Sequence, residues 1–333
     1  MSRALPHPDS RHPGGTSPAT GGGVRPQGLH HVTAIASDPQ ANVDFYTRTL
    51  GLRLVKQTVN FDAPGTYHLY YGDEAGSPAS LLTFFPWPGI AAGRLGAGMM
   101  TTTAFSVPEA SLGWWHERLR ALAVDVDDPR TRDEEELLTF RDPDGMVIDL
   151  VASVGDTRSG WDGVADIPAE HAVRGLHHIT LSEQQLDPSA AMLTELLGLD
   201  LAGSTGGRSR FTMPAGASGG LVDVEAGVAG RGRQAGGTVH HVAFRAPDLA
   251  TMAGWRDELL ESGVRVTEIL DRQYFRSIYF REPGGVLFEI ATDEPGFATD
   301  EPLLELGRTL KLPPWLEPDR EQIAAALPSL RQP

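Results

Sequence analysis

Six of the eleven histidines in this chain fall into three adjacent pairs, His30-His31, His177-His178 and His240-His241. Imidazole is the commonest metal ligand in proteins. The chain has no cysteine, which removes disulfides, thiolate nucleophiles and every Cys-ligated zinc or iron–sulfur centre. A metal here must therefore sit on His, Asp and Glu. Two carboxylates stand inside apolar, strand-like runs: Glu289 between Phe288 and Ile290, and Asp149 between Ile148 and Leu150. A buried charge of that kind is very costly without a partner. Two His and one carboxylate make the facial triad of non-haem Fe(II) oxygenases. Three protein ligands on one face leave the other open, so that a deprotonated diol and O2 bind side by side and iron passes electron density from ring to oxygen. Mn(II) suits the same donors, whereas zinc would bind without relaying electrons.

The elements that must position these residues repeat along the chain. Gly28-Leu29-His30-His31-Val32-Thr33 recurs as Gly175-Leu176-His177-His178-Ile179-Thr180, and Leu50-Gly51-Leu52 as Leu197-Gly198-Leu199 at the same offset. Phe140-Arg141-Asp142-Pro143-Asp144-Gly145 recurs as Phe280-Arg281-Glu282-Pro283-Gly284-Gly285, each followed by an apolar run containing Asp149 or Glu289. Fixed-period self-similarity marks a duplicated architecture. Each unit reads strand, helix, then further strands. His30 to Ala36 alternates as a strand, Asp38-Pro39 signals a helix start, and Asn42 to Leu50 has helical spacing closed by Gly51. Strands follow over 52–59, 67–71 and 81–85. In the last unit a strand over 240–245 and a helix over 249–262 precede strands over 264–270, 276–280 and 286–291.

These patterns predict an α+β chain of four βαβββ modules in two domains, with curled, mostly antiparallel sheets. The domains are expected at 28–153 and 175–293, with a linker over 154–174. A disordered segment over 1–27 and a tail over 294–333 flank them. The tail stretches 303–312 and 319–327 are amphipathic enough to dock as helices, with Trp315 as an anchor acting as a lid or a subunit contact.

Each His pair opens a module, and adjacent strand residues point to opposite faces, so one His of each pair is expected to face the concave side of a sheet while its neighbour faces away or into the layer behind it. His241 and Glu289 share a module. The third ligand is His31 if modules one and four share a cup, and His178 if modules three and four do. Asp149 reads as a structural acid paired with an arginine, because Thr102 stands where its module's His would be. His68 and His116 read as polar surface residues, with His68 near a pocket rim. The Glu134–Glu136 run reads as a solvated stretch.

Composition narrows the partners. The net charge of −16 argues against nucleic acid, whose binding needs Lys and Arg against phosphates. No run reaches the ~20 apolar residues of a membrane span. The N-terminus lacks a secretory apolar core, which points to a cytoplasmic protein. A small molecule is the expected partner, with a homo-oligomer left open.

The motifs Gly28-Leu29-His30-His31-Val32-Thr33, Tyr67-His68-Leu69-Tyr70-Tyr71-Gly72-Asp73, Val239-His240-His241-Val242-Ala243-Phe244 and Leu287-Phe288-Glu289-Ile290 resemble the hydroquinone-type ring-cleaving dioxygenases. So does the tail Lys311-Leu312-Pro313-Pro314-Trp315-Leu316-Glu317-Pro318. That family lies in the vicinal-oxygen-chelate superfamily, which also holds glyoxalases, bleomycin resistance proteins and extradiol dioxygenases. The resemblance covers about 28–328. It implies Fe(II)-dependent cleavage of a small aromatic diol with O2, and ligands His31, His241 and Glu289. It also implies catalytic roles for His30, Thr33, His240, Arg272 and Tyr279. Competing expectations are catechol extradiol cleavage with His178 in place of His31, glyoxalase-type lyase or isomerase chemistry on four protein ligands, and a metal-free binding module.

Overall fold

The computed structural model describes residues 23–332. Most of the lead-in expected to be disordered lies outside them. Residues 23–27 are in place, with Val24 buried and the Gln27 N–H donating to the Arg245 carbonyl at 3.1 Å. Packing is thus already present a few residues before the expected boundary.

The first module holds β1 (Leu29–Ala36), α1 (Pro39–Asp44), β2 (Arg53–Asn60), β3 (Ala63–Gly72) and β4 (Leu81–Pro86); the second holds β5 (Met99–Pro108), α2 (Leu112–Ala121), β6 (Arg130–Arg132), β7 (Glu135–Arg141) and β8 (Val147–Ser153). The third holds β9 (Gly175–Ser182), α3 (Asp187–Ala191), β10 (Asp200–Thr205), β11 (Arg208–Thr212) and β12 (Leu221–Glu225). The fourth holds β13 (Thr238–Ala246), α4 (Leu249–Glu261), β14 (Leu270–Asp271), β15 (Arg276–Arg281) and β16 (Leu287–Thr292).

Two eight-stranded sheets result, ordered β14-β15-β16-β13-β1-β4-β3-β2 and β10-β11-β12-β9-β5-β8-β7-β6. Each takes one module from each half of the chain. Pairing is mostly antiparallel, and parallel where β1 meets β4, β13 meets β16, β9 meets β12 and β5 meets β8. Alternation then sorts the side chains. Val32, Leu69, Phe84, Val242, Ile278 and Ile290 enter an apolar core shared with Trp115 of α2 and Trp255 of α4. The residues between them form the other face.

Local expectations fail where backbone chemistry intervenes. The helix predicted over 42–50 divides into α1 and a π-helical turn over Phe45–Thr49, closed by Gly51 at φ +71°. Residues 264–269 do not pair as a regular strand; Thr267 instead exchanges hydrogen bonds with Tyr279 through its backbone and hydroxyl. The tail stretch expected as a helix over 303–312 forms only a 3-10 turn over Leu303–Glu305. Gly307, at φ +76° and packed on the Leu54 carbonyl, ends it, and Lys311 then donates its N–H to the Gln57 carbonyl of β2. The expected second tail helix is present as α5 (Arg320–Ala326). Among the described residues, no helix is long and apolar enough to cross a membrane.

The repeated Arg-acid-Pro turn has a mechanical reason. Asp142 accepts N–H bonds from Asp144 and Met146 at 2.9 and 2.8 Å and the Tyr46 hydroxyl at 2.9 Å; Glu282 does the same with Gly284, Val286 and the Ser189 hydroxyl. One acid thus closes a turn and ties it to the preceding module. Beside Glu282 lies a second buried acid, Glu183, whose Oε1 has no hydrogen-bond partner. Burial, then the Glu282 carboxyl, push Glu183 up to about 8. The folded chain therefore keeps a proton that the unfolded chain releases near 4.5. Its contribution to stability is full below that value and is lost as pH rises to about 8. Glu183→Gln, uncharged throughout, is expected to flatten the fall of the thermal midpoint across this window and to raise the midpoint above it. Calorimetry showing an unchanged slope would contradict this.

Candidate metal centre

Two β-bulges place the histidines. Where β1 pairs with β13, Leu29 faces Phe244 and His31 faces Ala243, leaving His30 as an extra residue. Thr33 faces His241 and Ala34 faces Val239, leaving His240 extra. A bulge re-aims its side chains. Neighbours that a regular strand would separate therefore touch: His30 Nδ1 lies 2.9 Å from His31 Nδ1, and His240 Nδ1 lies 2.8 Å from His241 Nδ1.

These contacts fix the proton positions. His30 Nε2 lies 3.1 Å from the Thr292 carbonyl, which only accepts, so that nitrogen carries the hydrogen. Burial, then His31, lower His30 to about 3, so the ring is neutral and its Nδ1 is bare. His31 Nδ1–H must then donate to it, which leaves the His31 Nε2 lone pair free. The 240/241 contact fits the same arrangement, with burial and His241 lowering His240 to about 3.

Three donor atoms then converge. His31 Nε2 and His241 Nε2 are 3.3 Å apart, and Glu289 Oε2 lies 3.4 Å from the first and 2.9 Å from the second. Despite that proximity Glu289 Oε2 makes no hydrogen bond, while Oε1 accepts from the Ser277 hydroxyl. All three side chains are buried. Burial alone would raise Glu289, but the facing imidazoles outweigh it and hold the carboxyl well below its usual range. Burial also lowers His241, so a protonated imidazole is a poor source of the positive charge this carboxylate needs. A divalent cation would supply it. Ligands about 2.1 Å from one ion at near-right angles lie about 3 Å apart, so the donor set fits a metal.

The donors open into a cavity of about 510 Å³ with Phe61, Phe85, Trp87, Phe275 and Leu287 on its walls, a size and polarity suited to a small ligand. Tyr279 and Arg272 line it too. The Arg272 Nε–H donates to the Tyr279 hydroxyl at 3.2 Å, and its guanidinium meets Asp62 at 3.1 Å across the rim. The acids nearest it in sequence are engaged elsewhere, Glu268 with Arg256 and Asp271 with Arg276. Burial, then Glu289, push the Tyr279 hydroxyl up, so it stays protonated. Thr33 does not line the cavity; it is buried behind it, bonded to Thr83 at 2.8 Å. His68, read as a polar surface residue near a pocket rim, is half-buried in the cavity wall, and Tyr70 joins it there. The alternation Tyr67-His68-Leu69-Tyr70 on one strand was the available signal for both.

Residues 28–150 and 175–290 match the profile of the Glyoxalase/Bleomycin resistance protein/Dioxygenase superfamily. The chain belongs to this superfamily. MhqE of Bacillus subtilis (strain 168), provisionally named a ring-cleaving dioxygenase, is 44% identical over 309 residues, covering 92% of this chain and 100% of MhqE. The chlorohydroquinone/hydroquinone 1,2-dioxygenase of Sphingobium indicum is 35% identical, covering 90% and 95%. A crystal structure from Bacillus subtilis, also provisionally named a dioxygenase, superposes with a TM-score of 0.89 at 40% identity, covering 92% and 98%. By this kinship the chain is an enzyme of the superfamily's dioxygenase class.

The superfamily fold makes a second cup, and here its centre is filled. The strand registers set His178 in the place of His31, Thr102 in that of His241 and Asp149 in that of Glu289. Arg132 puts one nitrogen 2.9 Å from Asp149 Oδ2 and 3.2 Å from His178 Nε2, and Arg208 adds a contact to His178 at 3.3 Å. Glu135 lies near His177 and His178, but Arg210 grips it at 2.5 and 2.9 Å. That glutamate, expected to be solvated, is therefore an internal ion-pair partner. Fixed guanidinium groups supply the cationic charge here. His178 lies in the other sheet from His241, so the alternative ligand set His178, His241 and Glu289 does not assemble. One divalent ion per folded chain is expected by metal analysis, falling to near none in His241→Ala or Glu289→Ala and staying at one in His178→Ala. Two ions, or loss in the His178 variant, would contradict the assignment.

Proposed function

We propose that the chain opens the ring of a dihydroxylated, hydroquinone-like aromatic with O2, using Fe(II) held by His31, His241 and Glu289. The observation that carries this is the triangle of two imidazole nitrogens and a hydrogen-bond-free carboxylate oxygen facing an aromatic-walled cavity. Bound there, ferrous iron supplies the redox link between an electron-rich ring and O2.

The remaining work falls to the side chains. Phe85, Phe275 and Leu287 offer flat apolar surface that holds a ring and excludes water. His30 holds His31 as the Nδ1–H tautomer. His240, neutral and lining the cavity, presents its Nε2–H to an oxygen of the bound reactants. Tyr279, already accepting from Arg272, has its own hydrogen free to donate, and the Arg272 charge beside it stabilises an oxyanion as negative charge develops. Thr33 acts from behind the wall through Thr83. Glyoxalase-type chemistry is the weaker reading, because three donors rather than four converge among the described residues.

Protein loaded anaerobically with Fe(II) is expected to take up O2 in equimolar amount with hydroquinone, and zinc-loaded protein to take up none. Tyr279→Phe should lower kcat by about tenfold or more with metal content unchanged. Absence of uptake with every quinol and catechol offered to iron-loaded protein would overturn the proposal and favour the glyoxalase-type reading.

A further inference from the structure

A chain of hydrogen bonds in the cavity wall has one polarity that satisfies it. Thr33 Oγ1 lies 2.8 Å from Thr83 Oγ1, Thr83 Oγ1 lies 2.9 Å from His68 Nε2, and His68 Nδ1 lies 2.8 Å from the Tyr70 hydroxyl. Both threonines are fully buried. Among the described residues, Thr33 Oγ1 has no other hydrogen-bond partner. A buried hydroxyl hydrogen with no acceptor is costly, so Thr33 must donate to Thr83. The Thr83 hydrogen then goes to His68 Nε2, and a neutral His68 carries its hydrogen on Nδ1 and donates to Tyr70. Burial favours that neutral ring. The Tyr70 O–H is left as the end of the chain, with no protein acceptor of its own among the described residues, at a residue lining the cavity. Bonds aligned in this way polarise one another.

The second cup shows what these positions do when no ligand is to be received. Tyr70 pairs with Thr83, which pairs with Thr33; Arg210 pairs with Asp223, which pairs with Thr180. Arg208 and Arg210 thus stand where His68 and Tyr70 stand, and both are spent on Asp223. In the first cup the same positions are neutral, and one donor is left over.

We propose that Tyr70, which stands on β3 two strands away from the His31 strand β1 and is oriented by His68, donates a hydrogen bond to the substrate oxygen not held at His31, His241 and Glu289, and so selects rings whose two oxygens lie at opposite ends. Tyr70 is then a substrate-binding residue and His68 a positioning residue. The proposal rests on the ring-cleavage reading above and adds to it a basis for preferring para over adjacent diols.

The test is anaerobic calorimetric titration of the Mn(II)-loaded protein with hydroquinone and with 4-methylphenol, which has the same shape but lacks the distant oxygen. The unsubstituted protein is expected to favour hydroquinone by about tenfold, the worth of one well-placed hydrogen bond. Tyr70→Phe should bring the two ligands near parity by weakening hydroquinone alone. His68→Phe should lose much of the preference, and His68→Asn, which keeps a donor near the Nδ1 position, should restore part of it. A preference surviving in Tyr70→Phe, or equal weakening of both ligands, overturns the proposal. Failure of the unsubstituted protein to bind either ring overturns the ring-cleavage reading, and this assignment with it.

Discussion

A buried carboxylate oxygen that makes no hydrogen bond yet faces two imidazole nitrogens is the constraint on which the first cup depends. Each supporting bond removes another way of relieving it. The Thr292 carbonyl fixes the hydrogen of His30, His30 fixes that of His31, and Ser277 occupies the other oxygen of Glu289. The resulting concentration of lone pairs is unfavourable unless a cation enters. His31 comes from the opening strand and Glu289 from the closing one, so the centre exists only once β1 and β13 have paired. Binding of a metal there would be coupled to assembly of this sheet.

The duplicated cup solves the same problem differently. Both cups carry bulges at matching places, His30 and His240 in one, His177 and Thr101 in the other. In the second, arginines from β6 and β11 reach inward and neutralise Asp149 and Asp223. Removing one partner of such a buried pair leaves an uncompensated charge, at a cost of about 3–5 kcal/mol. The second cup is thus locked by its own charges, while the first keeps an open cavity beside its donors. Duplication gives the backbone twice, and side-chain charge decides which copy keeps an open cavity beside its donors.

Much of this was legible in the sequence because the signals were redundant. Repeated Gly-Leu-His-His motifs and repeated turn acids gave four modules, and Glu289 inside an apolar strand marked the carboxylate. The pairing of modules one and four was not readable from spacing; it followed from family resemblance alone. Strand alternation also predicted that adjacent histidines would separate, whereas the bulges let them touch, and bulges leave no periodic signature. Strand alternation places His68 near a pocket rim, but the role of His68 and Tyr70 depends on which buried hydroxyl lacks an acceptor, which no sequence pattern records. The Arg272 partner Asp62 lies in the first module, a pairing that local sequence does not signal. The tail departed from helix at Gly307, where backbone conformation outweighed amphipathic spacing.

The central claim is most directly tested by anomalous diffraction from crystals grown with Fe(II) under anaerobic conditions. The account predicts one iron peak per chain, between His31 Nε2, His241 Nε2 and Glu289 Oε2. A peak beside His177 and His178, or none at the His31 triangle in iron-loaded protein, would contradict it.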